Sequence, residues 1–279
     1  IVSDPISDDG LDIFKQNNIE IIDATDIEID ENYEHIESAN GWVIRSGTTL
    51  DASIIKKADS LSVIGRAGVG IDNVDISAAT RKGVVVMNTP DANTISAAEH
   101  TLALILSLSR NVSIGHHSLL AGNWDRHKFV GSEIRNKTLG IVGLGKIGRE
   151  VMQRAQGFGM KIIGYDPFIK EDMFRADEIK LLELDELIKK SDFITVHIPL
   201  TTNTENLFDY EMLSKMKKEA RIINVARGGI INEEDLAKAL KEGIIAGAAI
   251  DVFKEEPISK NNPLLKSPNI VLTPHLGGS

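Results

Sequence analysis

Three side chains that could bind an anion or move a proton each follow a short apolar segment late in the sequence: Arg227, Glu256 and His275. A guanidinium can bind a carboxylate through two parallel hydrogen bonds. An imidazolium can donate a proton to a carbonyl oxygen, and a nearby carboxylate orients the imidazole and favours its charged form. Each residue by itself is more typical of an ordinary surface loop. Together they predict a site that binds a small oxo acid and moves a proton on it.

A glycine-rich turn, G-x-G-x-x-G, lies between a strand-like apolar run and a helix-like segment, and its glycines are Gly143, Gly145 and Gly148. A second apolar run ends at Asp166, roughly 20 residues further on, the spacing of a dinucleotide-binding βαβ unit. The amino end of the helix would offer free N–H groups to phosphates. A carboxylate at position 166 would accept hydrogen bonds from a ribose 2′-hydroxyl and repel a 2′-phosphate, so NAD is predicted rather than NADP. The alternative is a glycine-rich turn without a ligand.

The first ninety residues alternate short apolar runs with helical segments. The predicted strands are 19–22, 42–44, 61–64 and 84–87, and the predicted helices are 9–16, 51–58 and 74–82. This alternation indicates a parallel sheet. The loops at 45–48 and 65–70 each follow a strand, where ligands bind in open parallel sheets, although ordinary turns would look similar.

The segment 88–93 is rich in turn residues and marks the best domain boundary. The predicted fold class is therefore α/β, with two Rossmann-like domains built on parallel sheets, residues 1–91 and 92–279, and an active site in the cleft between them. The helix predicted at 94–110 is apolar almost all round, so it must be buried under a sheet or against a second subunit. We expect a dimer contact there, and a structural role for His100 within it.

The second half continues the alternation and places the three chemical side chains. Helices are predicted at 184–190, 211–217 and 233–242, the last with Asn232 as N-cap, and strands at 193–197, 221–224, 246–250 and 270–273. Arg227, Glu256 and His275 all follow strands, so they should reach the sheet edge that carries the glycine turn.

Composition narrows the functional classes. The chain has 279 residues, no cysteine and a net charge of −10, which argues against disulfides, a thiolate site and a nucleic-acid surface. The longest apolar stretch, near 102–108, is too short to span a bilayer, and nothing resembles a signal peptide, so a soluble cytoplasmic protein is expected. No metal site is predicted, because the adjacent His116 and His117 have no second cluster of ligands.

The chain resembles the D-isomer-specific 2-hydroxyacid dehydrogenase family over essentially its whole length. The resemblance rests on RSGT (45–48), GRAGVGIDNVD (65–75), GLGKIGRE (143–150), YDP (165–167), VHIPLT (196–201), NVARGG (224–229), DVFKEEP (251–257) and PHLGG (274–278). It implies an NAD-dependent enzyme acting on a small anionic acid, and a homodimer or larger homo-oligomer through the helix at 94–110. Family members also carry a return segment to the first domain, which we expect to be missing after residue 279.

The resemblance implies roles for individual residues. The implied catalytic residues are Arg227, which binds the substrate carboxylate, His275, the general acid and base, and its partner Glu256. The implied cofactor contacts are Val69, Gly143, Gly145, Lys146, Ile147, Gly148, Asp166, Ile198, Pro199, Val225, Ala226, Arg227, Asp251, His275, Gly277 and Gly278. The implied substrate contacts are Arg45, Ser46, Gly47, Gly68, Val69, Gly70, Arg227 and His275, with Arg126 a weaker candidate for a phosphate.

The substrate expected from the resemblance is 3-phospho-D-glycerate, oxidised to 3-phosphohydroxypyruvate in serine biosynthesis. The alternatives are glyoxylate, hydroxypyruvate or another D-2-hydroxy acid, and an NAD(H)-sensing binding protein without turnover.

Overall fold

The computed structural model describes residues 1–30, 33–170 and 179–278. The chain divides into two compact units, Ile1–Asn93 and Thr94–Ser279, here called the first and second domains.

The first domain contains a three-stranded parallel sheet in the order β1-β2-β3. Its strands are β1 (Gly41–Ile44), β2 (Val63–Arg66) and β3 (Val85–Asn88), and its helices are α1 (Asp8–Gln16), α2 (Ala52–Lys57) and α3 (Ile76–Lys82). The sheet buries Trp42, Ile44 and Ile64 against apolar side chains of α2 and α3. Because all three strands are parallel, their carboxyl ends deliver the following loops to one edge.

The strand predicted at 19–22 is wrong. In its place, Val2 forms isolated parallel bridges with Asp23 and Val43. The Asp23 carboxylate accepts hydrogen bonds from the amide and hydroxyl of Thr25, which form a turn directly after this bridge. Ile19 is half exposed, whereas Ile22 packs against the core of the first domain, so the apolar run is covered at one end only.

The second domain is built on a seven-stranded sheet in the order β10-β9-β8-β7-β4-β5-β6, with every pair parallel. Its strands are β4 (Thr138–Val142), β5 (Lys161–Tyr165), β6 (Lys180–Leu181), β7 (Phe193–Val196), β8 (Arg221–Asn224), β9 (Gly247–Ile250) and β10 (Ile270–Leu272). Its helices are α4 (Thr94–Arg110), α5 (Val112–Leu120), α6 (Lys146–Gly157), α7 (Leu184–Lys190), α8 (Tyr210–Ser214) and α9 (Glu233–Glu242). Short 3₁₀ helices span Arg126–Phe129 and Pro263–Lys266.

Two apolar cores hold this sheet, and the central strands contribute to both. Every residue of β7 and of β9 is buried, as expected for central strands of a parallel sheet covered on both faces. The predicted α/β class with parallel sheets is confirmed. The helix predicted at 211–217 spans Tyr210–Ser214, so it ends earlier than predicted. Its start is set by Asp209, whose side chain accepts the Met212 amide at 2.8 Å.

Helix α4 lies against the sheet of its own domain, packing on β8, β9, β10 and α6. Its large apolar side chains Leu102, Leu104, Ile105 and Leu108 are buried there. Within the described residues, no helix is long and apolar enough to cross a membrane.

Candidate active site

Strands β8, β9 and β10 are neighbours in the sheet and run parallel. The loops that follow them therefore leave the same edge, and they carry Arg227, Glu256 and His275 respectively. These three residues, predicted from strand ends, are thus placed by adjacent strands of one rigid sheet.

His275 and Glu256 form a hydrogen-bonded pair, with His275 Nδ1 2.6 Å from Glu256 Oε2. The side chains are 37% and 35% exposed, so the pair is accessible but partly shielded. The second carboxylate oxygen of Glu256 accepts the Phe253 amide at 2.9 Å, which fixes the carboxylate. Nε2 of His275 makes no hydrogen bond to the part of the chain that the structure describes, and it is the ring nitrogen available to a substrate.

Electrostatics keep Glu256 ionised. Burial alone would raise the pKa of Glu256, but its hydrogen bonds from His275 and the Phe253 amide, with the positive charges of His275 and Arg227, lower the pKa below its ordinary value of 4.5. The carboxylate can therefore stabilise an imidazolium at neutral pH.

Asn224 shapes the loop that carries Arg227, although the sequence did not single it out as a site residue. Its buried side chain accepts the Ala226 amide at 3.0 Å and donates to the Arg227 carbonyl at 2.8 Å. Arg227 Nη1 also donates to the Ala226 carbonyl at 2.6 Å. The sequence signal that could have identified Asn224 is its place at the end of an apolar strand. An amide side chain buried there must form hydrogen bonds with groups nearby.

Asp251 is fully buried and organises the loop of His275. Its carboxylate accepts the amides of Leu276 and Gly277, each at 2.8 Å, and the Thr273 hydroxyl at 2.5 Å. His100 of α4 lies 3.2 Å from the same carboxylate, which places this histidine in a structural network. The predicted contact of Asp251 with a cofactor stays a prediction, while its contacts to the loop are direct.

The three glycines of the turn after β4 differ in what a side chain would meet at each position. Gly143 has φ of +96°, and a Cβ there would meet the His197 carbonyl at 2.5 Å. A Cβ at Gly148 would meet the Gly143 carbonyl at 2.1 Å, so α6 packs closely on the turn. At Gly145 a Cβ would meet nothing within 4 Å, which leaves open space at the amino end of α6.

Asp166 lies just after β5 and binds the glycine turn directly. One carboxylate oxygen accepts the Leu144 amide at 2.9 Å, and the other accepts the Phe168 amide at 2.9 Å. A carboxylate has about four acceptor positions, so these bonds leave capacity for a ribose hydroxyl. The open turn, the first-turn amides of α6 and this carboxylate fit a dinucleotide.

The other predicted cofactor residues of the second domain also lie in segments that follow strands of its sheet. Lys146 and Ile147 begin α6, Ile198 and Pro199 follow β7, and Ala226 adjoins Arg227. Val225 and Gly277 are buried against each other, since a Cβ at Gly277 would meet Val225 Cγ1 at 2.5 Å. Gly278 is exposed.

The predicted substrate residues of the first domain follow β1 and β2. Arg45, Ser46 and Gly47 are exposed in the loop after β1. Gly68, Val69 and Gly70 follow β2, where Gly68 has a positive φ of +153° and the Val69 carbonyl accepts from Asn88 Nδ2 at 2.7 Å. Both loops lie at the carboxyl edge of the first sheet. The predicted active site between the domains stays a prediction.

Other candidate positions lie elsewhere. Arg126 is exposed in the 3₁₀ segment after α5, and the adjacent His116 and His117 are exposed on α5. Among the described residues, no group of three His, Cys, Asp or Glu is placed to hold a metal ion. An open cavity of about 160 Å³ lies at the opposite, amino edge of the second sheet, and its lining includes Arg221 and Asn269 but no predicted site residue.

Comparison with known proteins identifies the family of this chain. Residues 102–277 match the family described as D-isomer specific 2-hydroxyacid dehydrogenase, NAD binding domain. The chain belongs to this family, and its second domain is the NAD-binding domain.

Particular relatives extend the match to the whole chain. A D-3-phosphoglycerate dehydrogenase of Methanocaldococcus jannaschii is 48% identical over 100% of this chain and 53% of its own length. The chain thus spans about half the length of the curated relatives it matches. The crystal structure of an NAD-dependent formate dehydrogenase from Staphylococcus aureus in complex with NAD matches with a TM-score of 0.87 and 33% identity, covering 96% of this chain and 82% of that one. A D-lactate dehydrogenase from Aquifex aeolicus, complexed with NAD and lactic acid, has a TM-score of 0.86 and 26% identity, with 99% and 87% covered.

Proposed function

We propose that this chain carries out NAD-dependent oxidation of a D-2-hydroxy acid, with 3-phospho-D-glycerate as substrate and 3-phosphohydroxypyruvate as product. The observation that carries the proposal is the hydrogen bond of 2.6 Å between His275 and Glu256. Their loops follow β10 and β9, and β9 lies beside β8, the strand that precedes Arg227. An acid–base pair beside a guanidinium suits an acid that gains or loses a proton at its C2 oxygen.

Each residue has a defined role in this proposal. Arg227 binds the substrate carboxylate through its guanidinium and thereby presents C2 and its hydroxyl to His275. His275 accepts the hydroxyl proton at Nε2 during oxidation and returns it to the carbonyl oxygen during reduction. Glu256 holds the ring through Nδ1 and stabilises the imidazolium that forms.

The cofactor would be held by the second domain. Phosphates would lie at Gly145 and the amino end of α6, and the adenosine ribose at Asp166. NAD, when bound, supplies the acceptor for the hydride that leaves C2 of the hydroxy acid.

The identity of the substrate is supported by the relatives and by Arg45. The curated relatives with 43–48% identity carry the name D-3-phosphoglycerate dehydrogenase. Arg45 is exposed in the loop after β1, where a second positive charge would bind a phosphate. We place the reaction at the start of serine biosynthesis, since its product is a phosphorylated 2-oxo acid that a transaminase could convert to an amino acid.

The test is a panel of substrates in which turnover is measured by the absorbance of NADH. Purified protein with NAD should oxidise 3-phosphoglycerate in preference to D-lactate, D-glycerate and glycolate. Arg45→Ala should lower kcat/KM for the phosphorylated acid much more than for D-glycerate. His275→Gln should abolish turnover while NADH still binds. Full activity in that variant would remove His275 from the mechanism, and tight NADH binding without turnover in the wild type would favour a sensing protein.

We also propose that two copies of the chain associate. The predicted contact was α4, but most of its apolar side chains are buried against its own sheet. A concentration of exposed apolar side chains follows α4: between residues 112 and 130, six large apolar side chains are 41–79% exposed, namely Val112, Ile114, Leu119, Leu120, Trp124 and Val130. Such a concentration is typical of an interaction surface.

A further inference from the structure

The loop after β1, Arg45–Thr48, is held by a buried carboxylate from the start of the chain. Asp4 is 8% exposed, and its Oδ2 accepts the amides of Arg45 at 2.6 Å and Thr48 at 3.0 Å. One oxygen therefore binds both ends of the loop. The approach is close, since a Cβ at Gly47 would lie 2.3 Å from Asp4 Oδ1.

The carbonyls of the same two loop residues are bound by a different side chain. Asn73 Nδ2 donates to the Arg45 carbonyl at 2.6 Å and to the Thr48 carbonyl at 2.5 Å. Arg45 and Thr48 thus have their N–H groups bound by Asp4 and their C=O groups bound by Asn73. We call Asp4 and Asn73 the loop clamp.

The clamp is anchored in the core of the first domain. The Thr48 hydroxyl donates to Ser3 Oγ at 2.9 Å, and the Trp42 indole donates to the same oxygen at 2.9 Å. Trp42 is 1% exposed, so this network is rigidly packed. Burying the Asp4 carboxylate costs free energy of folding, and apolar side chains could stabilise the domain equally well. A role in stability alone therefore does not explain the carboxylate.

The clamp leaves the middle of the loop available to a ligand. Within the described chain, the amides of Ser46 and Gly47 donate to no acceptor, and both residues are exposed beside Arg45. Two successive free amides next to a guanidinium form a site for an oxyanion such as a carboxylate or phosphate.

We propose that Asp4 and Asn73 are positioning residues that hold the amides of Ser46 and Gly47 in the geometry that binds an oxyanion of the substrate. This inference rests on the proposed function, because that function supplies the anionic acid. The hydrogen bonds from Asp4 and Asn73 to this loop reach only main-chain atoms of Arg45 and Thr48, so the clamp acts through the loop and not on the substrate.

Asp4→Asn and Asn73→Ala test the clamp, with Asp51→Ala as the matched control. Asp51 also accepts two amides in the first domain, Ser53 and Ile54 at 2.9 and 3.0 Å, but it caps α2. Each clamp variant should raise KM for 3-phosphoglycerate about tenfold or more, as displaced binding groups do. NADH affinity from fluorescence titration should be unchanged, and kcat should change less than KM.

Hydrogen exchange followed by NMR gives a readout that does not depend on turnover. The Arg45 and Thr48 amides should exchange faster in Asp4→Asn than in the wild type, and at wild-type rates in Asp51→Ala. Unchanged exchange in Asp4→Asn, or an equal rise in KM in Asp51→Ala, overturns the proposal. If wild-type protein oxidises no acid, the proposed function has failed, and the exchange rates alone decide whether the clamp holds the loop. Should Asp4→Asn not fold, Asn73→Ala carries the same comparison through KM.

Discussion

His275 occupies an unusual backbone conformation for its position in the site. Its φ is +54°, in the left-handed region that L-residues rarely adopt, and its amide donates to the Asp251 carbonyl at 2.8 Å. Such a conformation costs on the order of 1–3 kcal/mol and persists where surrounding bonds determine it. Here the buried Asp251 supplies those bonds, and the result directs the imidazole toward Glu256.

Glu256→Gln is expected to reduce activity with little effect on cofactor binding. The amide keeps the size of the side chain but loses the charge that stabilises an imidazolium, so kcat should fall about 10²-fold, the lower range for acid–base catalysis. Steady-state kinetics with the NADH Kd checks this. A control is Glu255→Gln, the exposed neighbouring acid, which should leave kcat near the wild-type value.

The same substitution should alter the acid dependence of stability. Because the pKa of Glu256 is lowered in the folded protein, its contribution to the free energy of unfolding is present above about pH 4.5 and lost as pH falls through the folded-state pKa. The stability difference between wild type and Glu256→Gln should therefore shrink as pH falls below 4.5. Urea unfolding at several pH values measures it, and a difference that grows below pH 4.5 contradicts the assignment.

Helix α9 shows how an element is set by its first residues. Asn232 accepts the Asp235 amide at 3.0 Å, which confirms the predicted N-cap, and the first turn carries three acids, Glu233, Glu234 and Asp235. These charges favour the positive end of the helix dipole. The helix ends at Glu242 and is followed by Gly243, whose φ of +68° suits glycine.

Asn232→Ala should destabilise the second domain by about 1 kcal/mol, because an amide of the first turn loses its acceptor. Asn232→Asp keeps an acceptor and should be nearly neutral. The midpoint of urea unfolding distinguishes the two, and equal losses in both variants would show that the cap is not the cause.

His197, the residue after β7, is sensitive to acid. Burial lowers the pKa of His197 from 6.5 to about 3, and the ring lies 2.9 Å from the Thr195 hydroxyl. The unfolded chain binds a proton below pH 6.5 that the folded chain does not bind until about pH 3. The contribution of the neutral imidazole to stability is therefore fully present above pH 6.5 and lost as pH falls toward 3.

Replacing this imidazole should flatten the acid dependence. His197→Asn should lower stability near neutral pH through lost packing, yet lose less further stability than wild type between pH 6.5 and 4. His117→Asn, on the exposed face of α5, is the control and should follow the wild-type curve. Parallel curves for wild type and His197→Asn would mean that His197 titrates normally in the folded state.

At the scale of the whole molecule, the two domains use the same arrangement of chemistry. In each, a parallel sheet delivers polar loops to the carboxyl edge, and buried carboxylates, Asp4 in one domain and Asp251 in the other, fix those loops through main-chain amides. Because the buried carboxylates position the loops, the exposed groups of those loops can serve to bind ligands.

The proposed self-association belongs to this scale. Trp124 is 79% exposed, so Trp124→Ser should not unfold the chain, but it should weaken the dimer. Leu120→Ser together with Trp124→Ser should shift sedimentation from dimer to monomer at micromolar protein. Phe168→Ser, which removes an exposed ring after β5, is the control and should leave the mass unchanged. A monomeric wild type would refute the proposed association.

Local patterns determined much of this protein. The glycine turn, Asp166 at the end of β5, the helix cap at Asn232 and most strands of the second domain follow from spacing and turn chemistry, which act over a few residues. The segment 19–22 has the same apolar character but forms no strand, because strand formation depends on a neighbour that the pattern does not specify.

Only the tertiary structure decided which distant residues meet. His275 and Glu256 pair because β10 lies beside β9, and Asp4 and Asn73 reach one loop from separate parts of the chain. The family resemblance implied a cofactor contact for Asp251, which stays a prediction, and packing also makes Asp251 the buried support of the histidine loop. Strand order and burial set these contacts, and both arise from the balance of packing over a whole domain, which periodicity along the chain does not encode.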